Sequence, residues 1–187
     1  MATQPDAAGL AGAAADGVAA EGAATDLVAA LTGRGLTIAV AESLTGGLLA
    51  AEFVRVPGAS AVLAGGVVAY QSAIKHTLLG VDEELLAEYG AVHPEVARQM
   101  ATGVRTALAV DGHAADIGIA TTGVAGPTPQ DGQAVGTVYL GLSHAAGLRA
   151  IELHLTGSRA EIRAQTVTHA LEAVRELLDT PKPEPAE

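Results

Sequence analysis

The chain has no cysteine, no tryptophan, one phenylalanine and only two lysines, Lys75 and Lys182, among its 187 residues. Without cysteine there is no disulfide framework, no thiolate nucleophile and no thiolate metal site. With aromatics at 2% there is little to stack on bases, and a net charge of −11 opposes a phosphate backbone, so nucleic acid is not an expected partner. Six histidines are scattered in no H-x-H or H-E-x-x-H spacing, so no metal is expected. A secretory signal needs early positive charge, yet the first basic residue is Arg34. The stretch from Val56 to Ile74 is free of charge and long enough to suggest a membrane span. Pro57, Gly58, Gly65 and Gly66 within it suit a turn and a buried strand instead. The expectation is a soluble, cytoplasmic protein with no membrane partner.

What is present is a chain 49% hydrophobic and 17% charged, rich in Ala and Val, of a length that suits one domain with a sizeable core. Residues 1 to 23 are Ala/Gly-rich without a stable period and are expected to form a disordered leader. The domain is expected over 24–179, followed by a Pro-rich tail over 180–187. Thr25-Asp26 can cap a short helix through Leu31, ended by Gly33 and Gly35. Thr37 to Ala41 reads as a strand, Leu48 to Val54 as a helix, and Gly66 to Tyr70 as a Val-rich strand. Two short helices follow, Ser72 to Leu79 and Asp82 to Glu88, and His93-Pro94 opens a longer one. Ile117 to Ala120 is a strand feeding a Gly-rich loop. Gly136 to Leu142 and Leu148 to Leu155 form a hairpin turning near Ala146-Gly147. Ser158-x-x-Glu161 is a capping box for a last helix whose stripe is Val167, Leu171, Val174 and Leu178. Strands alternating with helices, then a hairpin, point to an α/β fold: three layers, α/β/α, around a mixed central sheet.

Chemistry concentrates at two turns. Ala41-Glu42-Ser43-Leu44-Thr45-Gly46-Gly47 lies between a strand and a helix, so Ser43 is either an ordinary cap or a hydroxyl carried to the end of a sheet. Thr45 is an alternative cap, which would free Ser43. Lys75 is the only lysine in the folded part, on a chain that otherwise fills basic positions with eight arginines. Lysine, unlike arginine, can lose its proton on burial. Moving its pKa from about 10.4 to near 7 requires on the order of 4–5 kcal/mol, for which an apolar pocket is the plausible source. Tyr70 precedes Lys75 by five positions, and a neutral lysine, directly or through that phenol, can take a serine proton without histidine. A plain solvated lysine fits the sequence as well.

The second turn is Thr121-Thr122-Gly123-Val124-Ala125-Gly126-Pro127, where small residues let backbone N–H groups approach an anion or a ribose. The alternative is a simple turn. It has neither the G-x-x-x-x-G-K-[ST] order nor a dinucleotide fingerprint, so no cofactor is expected. Arg159 and Arg163 lie one turn apart at the start of the last helix, where they either pair with Glu152 or Glu161 or steer an anionic substrate.

In series, Ala41-Glu42-Ser43-x-Thr45-Gly46-Gly47, Pro57-Gly58-Ala59-Ser60, Gly65-Gly66-Val67-Val68-Ala69-Tyr70, Lys75 with Leu79-Gly80-Val81, Gly90-Ala91-Val92, Thr122 to Pro127, Val135-Gly136-Thr137-Val138 and Arg159-x-x-Ile162-Arg163 resemble the CinA C-terminal domain family. These are the nicotinamide-nucleotide amidohydrolases. The resemblance spans roughly Ala24 to Leu178. It implies an α/β/α domain that hydrolyses the carboxamide of nicotinamide mononucleotide to nicotinate mononucleotide and ammonia. Carried over by position, Ser43 is the nucleophile, activated by Lys75 and Tyr70. Backbone amides near Thr45, Gly46 and Gly47 would receive the oxyanion, and Thr122, Gly123, Gly126 and Arg163 would hold ribose and phosphate.

Three positions depart from the family pattern: Leu44 where cysteine is usual, His93 where serine is usual, and Thr128-Pro129-Gln130-Asp131-Gly132 where a Gly pair is common. Many relatives also carry an N-terminal molybdopterin-binding-like domain. The Ala/Gly leader stands in that place here, so activities tied to that domain are not expected. Two other readings remain open: a non-catalytic nucleotide-binding module of the same fold, and an amidohydrolase of another small amide. A homo-oligomer is the expected state.

Overall fold

A computed structural model describes residues 22–179. The tail over 180–187 and residues 1–21 of the expected leader lie outside the described residues. The first helix, α1, covers 22–34, so Thr25 and Asp26 lie inside it and do not cap it. The helix is already under way before Thr25, and Ala24 within it is fully buried in the core. Gly35, at φ +62°, turns the chain out of it.

The sheet has five strands: β1 (Ile38–Glu42), β2 (Leu63–Val68), β3 (Ile117–Gly123), β4 (Thr137–His144) and β5 (Gly147–His154). Their order is β2-β1-β3-β4-β5. β1 runs parallel to both its neighbours, and β4 and β5 close the sheet as an antiparallel hairpin turning at His144–Gly147. Helices α2 (Leu48–Val54), α3 (Ser72–Leu79), α4 (Glu83–Tyr89), α5 (Pro94–Ala107) and α6 (Arg159–Asp179) complete the chain. The mixed sheet and its helical layers are the expected α/β/α architecture. β2 ends at Val68, so Ala69 and Tyr70 leave the sheet earlier than the Val-rich run suggests.

Strand alternation assigns each face its helices. Ile38 and Val40 of β1, Ile117 and Ile119 of β3, and Val138, Leu140 and Leu142 of β4 pack with α1, α2 and α6 through Leu27, Leu31, Phe53, Ile162 and Leu171. The other face is built of small residues. Ala39, Ala41 and Ala120 meet Val96, Met100, Ala101 and Val104 of α5. A Cβ on Gly118 or Gly141 would lie 1.9 Å from the Ala101 or Ala97 carbonyl oxygen, so α5 rests on bare backbone at these two points. That close seat fixes α5 and the Ala91–Val92 segment leading into it. His93 accepts from the Glu95 amide at the helix start, followed by Pro94. The capping box forms as expected, with Ser158 N donating to Glu161 Oε2 at 2.6 Å and Glu161 N to Ser158 Oγ at 3.3 Å.

Candidate active site

The parallel strands β1 and β3 end side by side, and Ser43 N donates to Thr121 O at 3.0 Å where they do. Ser43 is therefore delivered to the carboxyl edge of the sheet, the edge at which open α/β sheets bind ligands. Its turn is short because Gly46 and Gly47 adopt φ +61° and +100°, a region costly for any residue with a Cβ.

The cap of α2 is neither Ser43 nor Thr45. Glu42, 1% exposed, turns its carboxylate back across the turn. It accepts from Gly47 N at 2.9 Å, Leu49 N at 3.1 Å and Ala50 N at 2.9 Å. A buried anion at a helix N-terminus is stabilised by these amides and by the helix dipole. Thr45 is fully buried and bonds Thr121 Oγ1 at 2.7 Å, tying the turn to β3 instead of facing a ligand. Ser43 is thus left without a capping duty. The Gly47 amide is committed to Glu42 and is not available to an oxyanion.

Lys75, on the first turn of α3, is fully buried. Its Nζ lies 3.0 Å from Ser43 Oγ, 2.7 Å from the Ala69 carbonyl oxygen and 3.3 Å from that of Tyr70. Burial lowers its pKa from 10.5 to about 8, and the Asp131 carboxylate partly opposes the shift. Leaving the sheet at Val68 lets Ala69 and Tyr70 turn their carbonyls toward this ammonium. The phenol of Tyr70, half exposed at the cavity edge, accepts from Arg159 Nη2 at 3.1 Å, and no hydrogen bond joins its hydroxyl to Ser43 or Lys75 among the described residues. The contribution of Tyr70 to Lys75 is its main-chain carbonyl.

A cavity of about 350 Å³ opens over this pair, within the range of small-molecule sites. Ser43, Lys75, Tyr70, Thr122, Gln130 and Arg159 are among its lining residues, with Gly123 and Gly126 on the second Gly-bearing loop. Thr122 Oγ1 donates to the Ala91 carbonyl at 2.7 Å, joining the loop to the opposite wall. Arg163 does not line the cavity. It lies behind the Ser43 turn, donating from Nε to Leu44 O at 2.9 Å and from Nη2 to Thr45 O at 2.8 Å. Arg159 is the arginine on the cavity side, with Nη1 donating to Gly126 O at 2.7 Å. Both arginines were legible as one basic face, but the helical period alone does not say which turns to the ligand.

Among the described residues no group of His, Asp and Glu is arranged to hold a metal ion, and no helix is long and apolar enough to cross a membrane. The site is a buried lysine against a serine hydroxyl, at the base of a cavity with an arginine at its wall. This arrangement suits proton transfer from an attacking hydroxyl.

Comparisons with known proteins agree with the fold. The CinA C-terminal domain matches residues 20–178. A CinA-like protein of Frankia casuarinae is 49% identical over 148 residues, covering 79% of this chain and 33% of the relative. The chain spans about a third of the length of the curated relatives it matches. A CinA superfamily protein of Klebsiella pneumoniae superposes with a TM-score of 0.79 at 34% identity, covering 86% of this chain and 98% of that one. The competence/damage inducible protein CihA of Agrobacterium tumefaciens gives a TM-score of 0.78 at 32% identity, covering 96% and 100%. The chain belongs to the CinA C-terminal domain family.

Proposed function

We propose that this protein is a serine amidohydrolase that converts nicotinamide mononucleotide to nicotinate mononucleotide and ammonia. The observation that carries the reading is the setting of the Lys75 amine. Two carbonyl oxygens, of Ala69 and Tyr70, accept from Nζ, and Ser43 Oγ is the third neighbour. A neutral amine has two N–H bonds and one lone pair. With both N–H bonds directed at carbonyls, the lone pair faces the serine hydroxyl. A pKa of about 8 leaves a useful neutral fraction near neutral pH.

Ser43 Oγ attacks the carboxamide carbon as its proton passes to Lys75 Nζ. The tetrahedral oxyanion is received by backbone amides of the turn, with Leu44, which lines the cavity beside Ser43, the first candidate. The C–N bond then breaks as Lys75 returns the proton to the leaving nitrogen, which departs as ammonia. Water, deprotonated by the same amine, adds to the acyl-serine, and collapse releases the carboxylic acid and restores Ser43. Arg159, on the cavity wall, supplies positive charge for the 5′-phosphate, which explains how an acidic protein retains an anionic ligand.

The test is ammonia release from nicotinamide mononucleotide, nicotinamide riboside and nicotinamide. Turnover of the mononucleotide, lost in Ser43→Ala and in Lys75→Arg, is the expected result. Binding of the mononucleotide without ammonia release by the unmodified protein would instead indicate a nucleotide-binding module. Thr128, Pro129 and Gln130, where the chain departs from the family pattern, line the cavity. Preference for a different amide would therefore trace to them.

A further inference from the structure

Ala91 is gripped from two sides by one loop. Its carbonyl accepts from Thr122 Oγ1 at 2.7 Å, and its amide donates to Asp131 Oδ2 at 3.1 Å. Thr122 and Asp131 flank the second Gly-bearing loop, so that loop leaves β3 and returns to the same residue of the opposite wall. Between the two pins, Gly123 to Gly126 and Thr128 to Gln130 line the cavity. Asp131 itself reaches past the roof and lies over Gly90, where a Cβ would meet Asp131 Cβ, Cγ and Oδ2 at 2.6 Å.

The return is stiff. Gln130 and Gln133 exchange backbone hydrogen bonds of 3.1 and 2.8 Å, and the residues between them, Asp131 and Gly132, have φ +50° and +76°. This is a tight turn with two left-handed central residues, and it leaves the Asp131 carboxylate against the Ala91 amide. Gln130 Nε2 donates to the same carboxylate oxygen at 3.3 Å, which ties a lining side chain to the pin. A third fastening lies midway. Arg159 donates from Nη1 to Gly126 O at 2.7 Å and from Nη2 to the Tyr70 hydroxyl at 3.1 Å, joining the loop to the wall before α3. The cavity mouth is thereby ringed, from Tyr70 through Arg159 and Gly126, along the roof, to Asp131 and Ala91.

Resting on the amidohydrolase reading of the same site, we infer that Asp131 is a specificity-determining residue, which pins the roof to the Ala91 amide and thereby confines substrates to mononucleotides. A cavity of about 350 Å³ is at the small end of small-molecule sites. In a dinucleotide the phosphate beside Arg159 carries a second nucleotide, which needs a gap in the ring. Thr122 is buried at the end of β3, and Arg159 is turned to the phosphate. The Asp131 pin, exposed at the surface, is the fastening that decides whether a gap opens.

Two variants of the full chain test this. Asp131→Gly keeps the left-handed backbone and removes the acceptor, whereas Asp131→Asn keeps an acceptor oxygen and removes the charge. Amide hydrogen exchange followed by NMR reads the pin: Ala91 should exchange faster in Asp131→Gly and stay protected in Asp131→Asn. Ammonia release and titration calorimetry, each with nicotinamide mononucleotide and nicotinamide adenine dinucleotide, read the selectivity. Asp131→Gly should raise KM for the mononucleotide roughly five- to tenfold, the scale of one lost hydrogen bond, with kcat within a few-fold of the parent. Its preference for the mononucleotide over the dinucleotide should fall by a similar factor, and Asp131→Asn should restore both. Unchanged Ala91 protection in Asp131→Gly would overturn the pin. Lost protection with parental KM and selectivity would overturn the specificity role, as would tighter mononucleotide binding in both variants, the signature of charge alone. A parent that binds the mononucleotide without releasing ammonia sinks the amidohydrolase reading alone, and the calorimetric selectivity of the variants still decides the role of Asp131.

Discussion

Arg163 donates through Nε to the carbonyl of Leu44, the residue after Ser43, from 119 positions further along the chain. Together with the bond from Nη2 to Thr45 O, this makes a two-point grip on the backbone that carries the serine. The grip uses the planar fork of a guanidinium, which an ammonium cannot reproduce. Arg163→Lys should therefore lower kcat by roughly tenfold or more, the equivalent of about 1–3 kcal/mol of lost hydrogen bonding, with KM little changed. Steady-state kinetics check this. A rise confined to KM would return Arg163 to substrate binding.

Arg159 and Tyr70 should show the opposite split. Arg159→Ala removes a cation from the cavity wall and should raise KM for the phosphorylated substrate more than for the riboside. Tyr70→Phe removes only the hydroxyl that accepts from Arg159, leaving the carbonyl that holds Lys75. Its kcat should stay within a few-fold of the parent. A loss of several orders of magnitude in kcat would reinstate the phenol as a proton relay.

Lys75 ties both activity and stability to pH. The proposed reaction uses the neutral amine, so kcat should rise with pH through about 8. Its folded pKa lies below the unfolded value of 10.5, so between about pH 8 and 10.5 the unfolded chain binds more protons and stability rises with pH. Below pH 8 the full cost of the buried ammonium applies, about 3 kcal/mol. Urea unfolding of the parent and of Lys75→Met across this window measures the term. The parent should gain on the variant as pH rises, and parallel curves would contradict the buried-ammonium account.

The Glu42 carboxylate answers three amides at the start of α2, and Glu42→Gln would turn an NH₂ toward at least one of them. A loss of about 2–3 kcal/mol is expected, because hydrogen bonds to a charged group and a buried donor's desolvation are both involved. Denaturant midpoints measure it. A neutral result would mean that the amides find other acceptors.

Much of this arrangement is legible from the sequence where the signal is local. The bounds of α2 and α3, the Ser158–Glu161 box and the hairpin turn follow from periodicity, caps and turn residues within a few positions. The proximity of Ser43 and Lys75 is suggested by the lone lysine and the motif series. What escapes such reading depends on partners far along the chain. Nothing near Thr45 announces that its hydroxyl meets Thr121, so Thr45 looks like a cap and Glu42 like a generic acid. Arg159 and Arg163 are equivalent on a helical wheel until the Leu44 carbonyl claims one of them. Tyr70 looks like the end of a strand because Val67 and Val68 precede it. Its carbonyl serves Lys75 only because the sheet has already ended.

The seat of α5 on Gly118 and Gly141 has a consequence for how the protein can be altered. The helix is separated from the sheet by no side chain at those points, so its height cannot be adjusted by repacking. The Ala91–Val92 wall, which leads straight into α5, is therefore set by the two backbone contacts that the helix makes a few residues further on. Cavity width in this chain is open to change through the Thr128–Gly132 roof, while the wall opposite behaves as a fixed datum against which that roof is set.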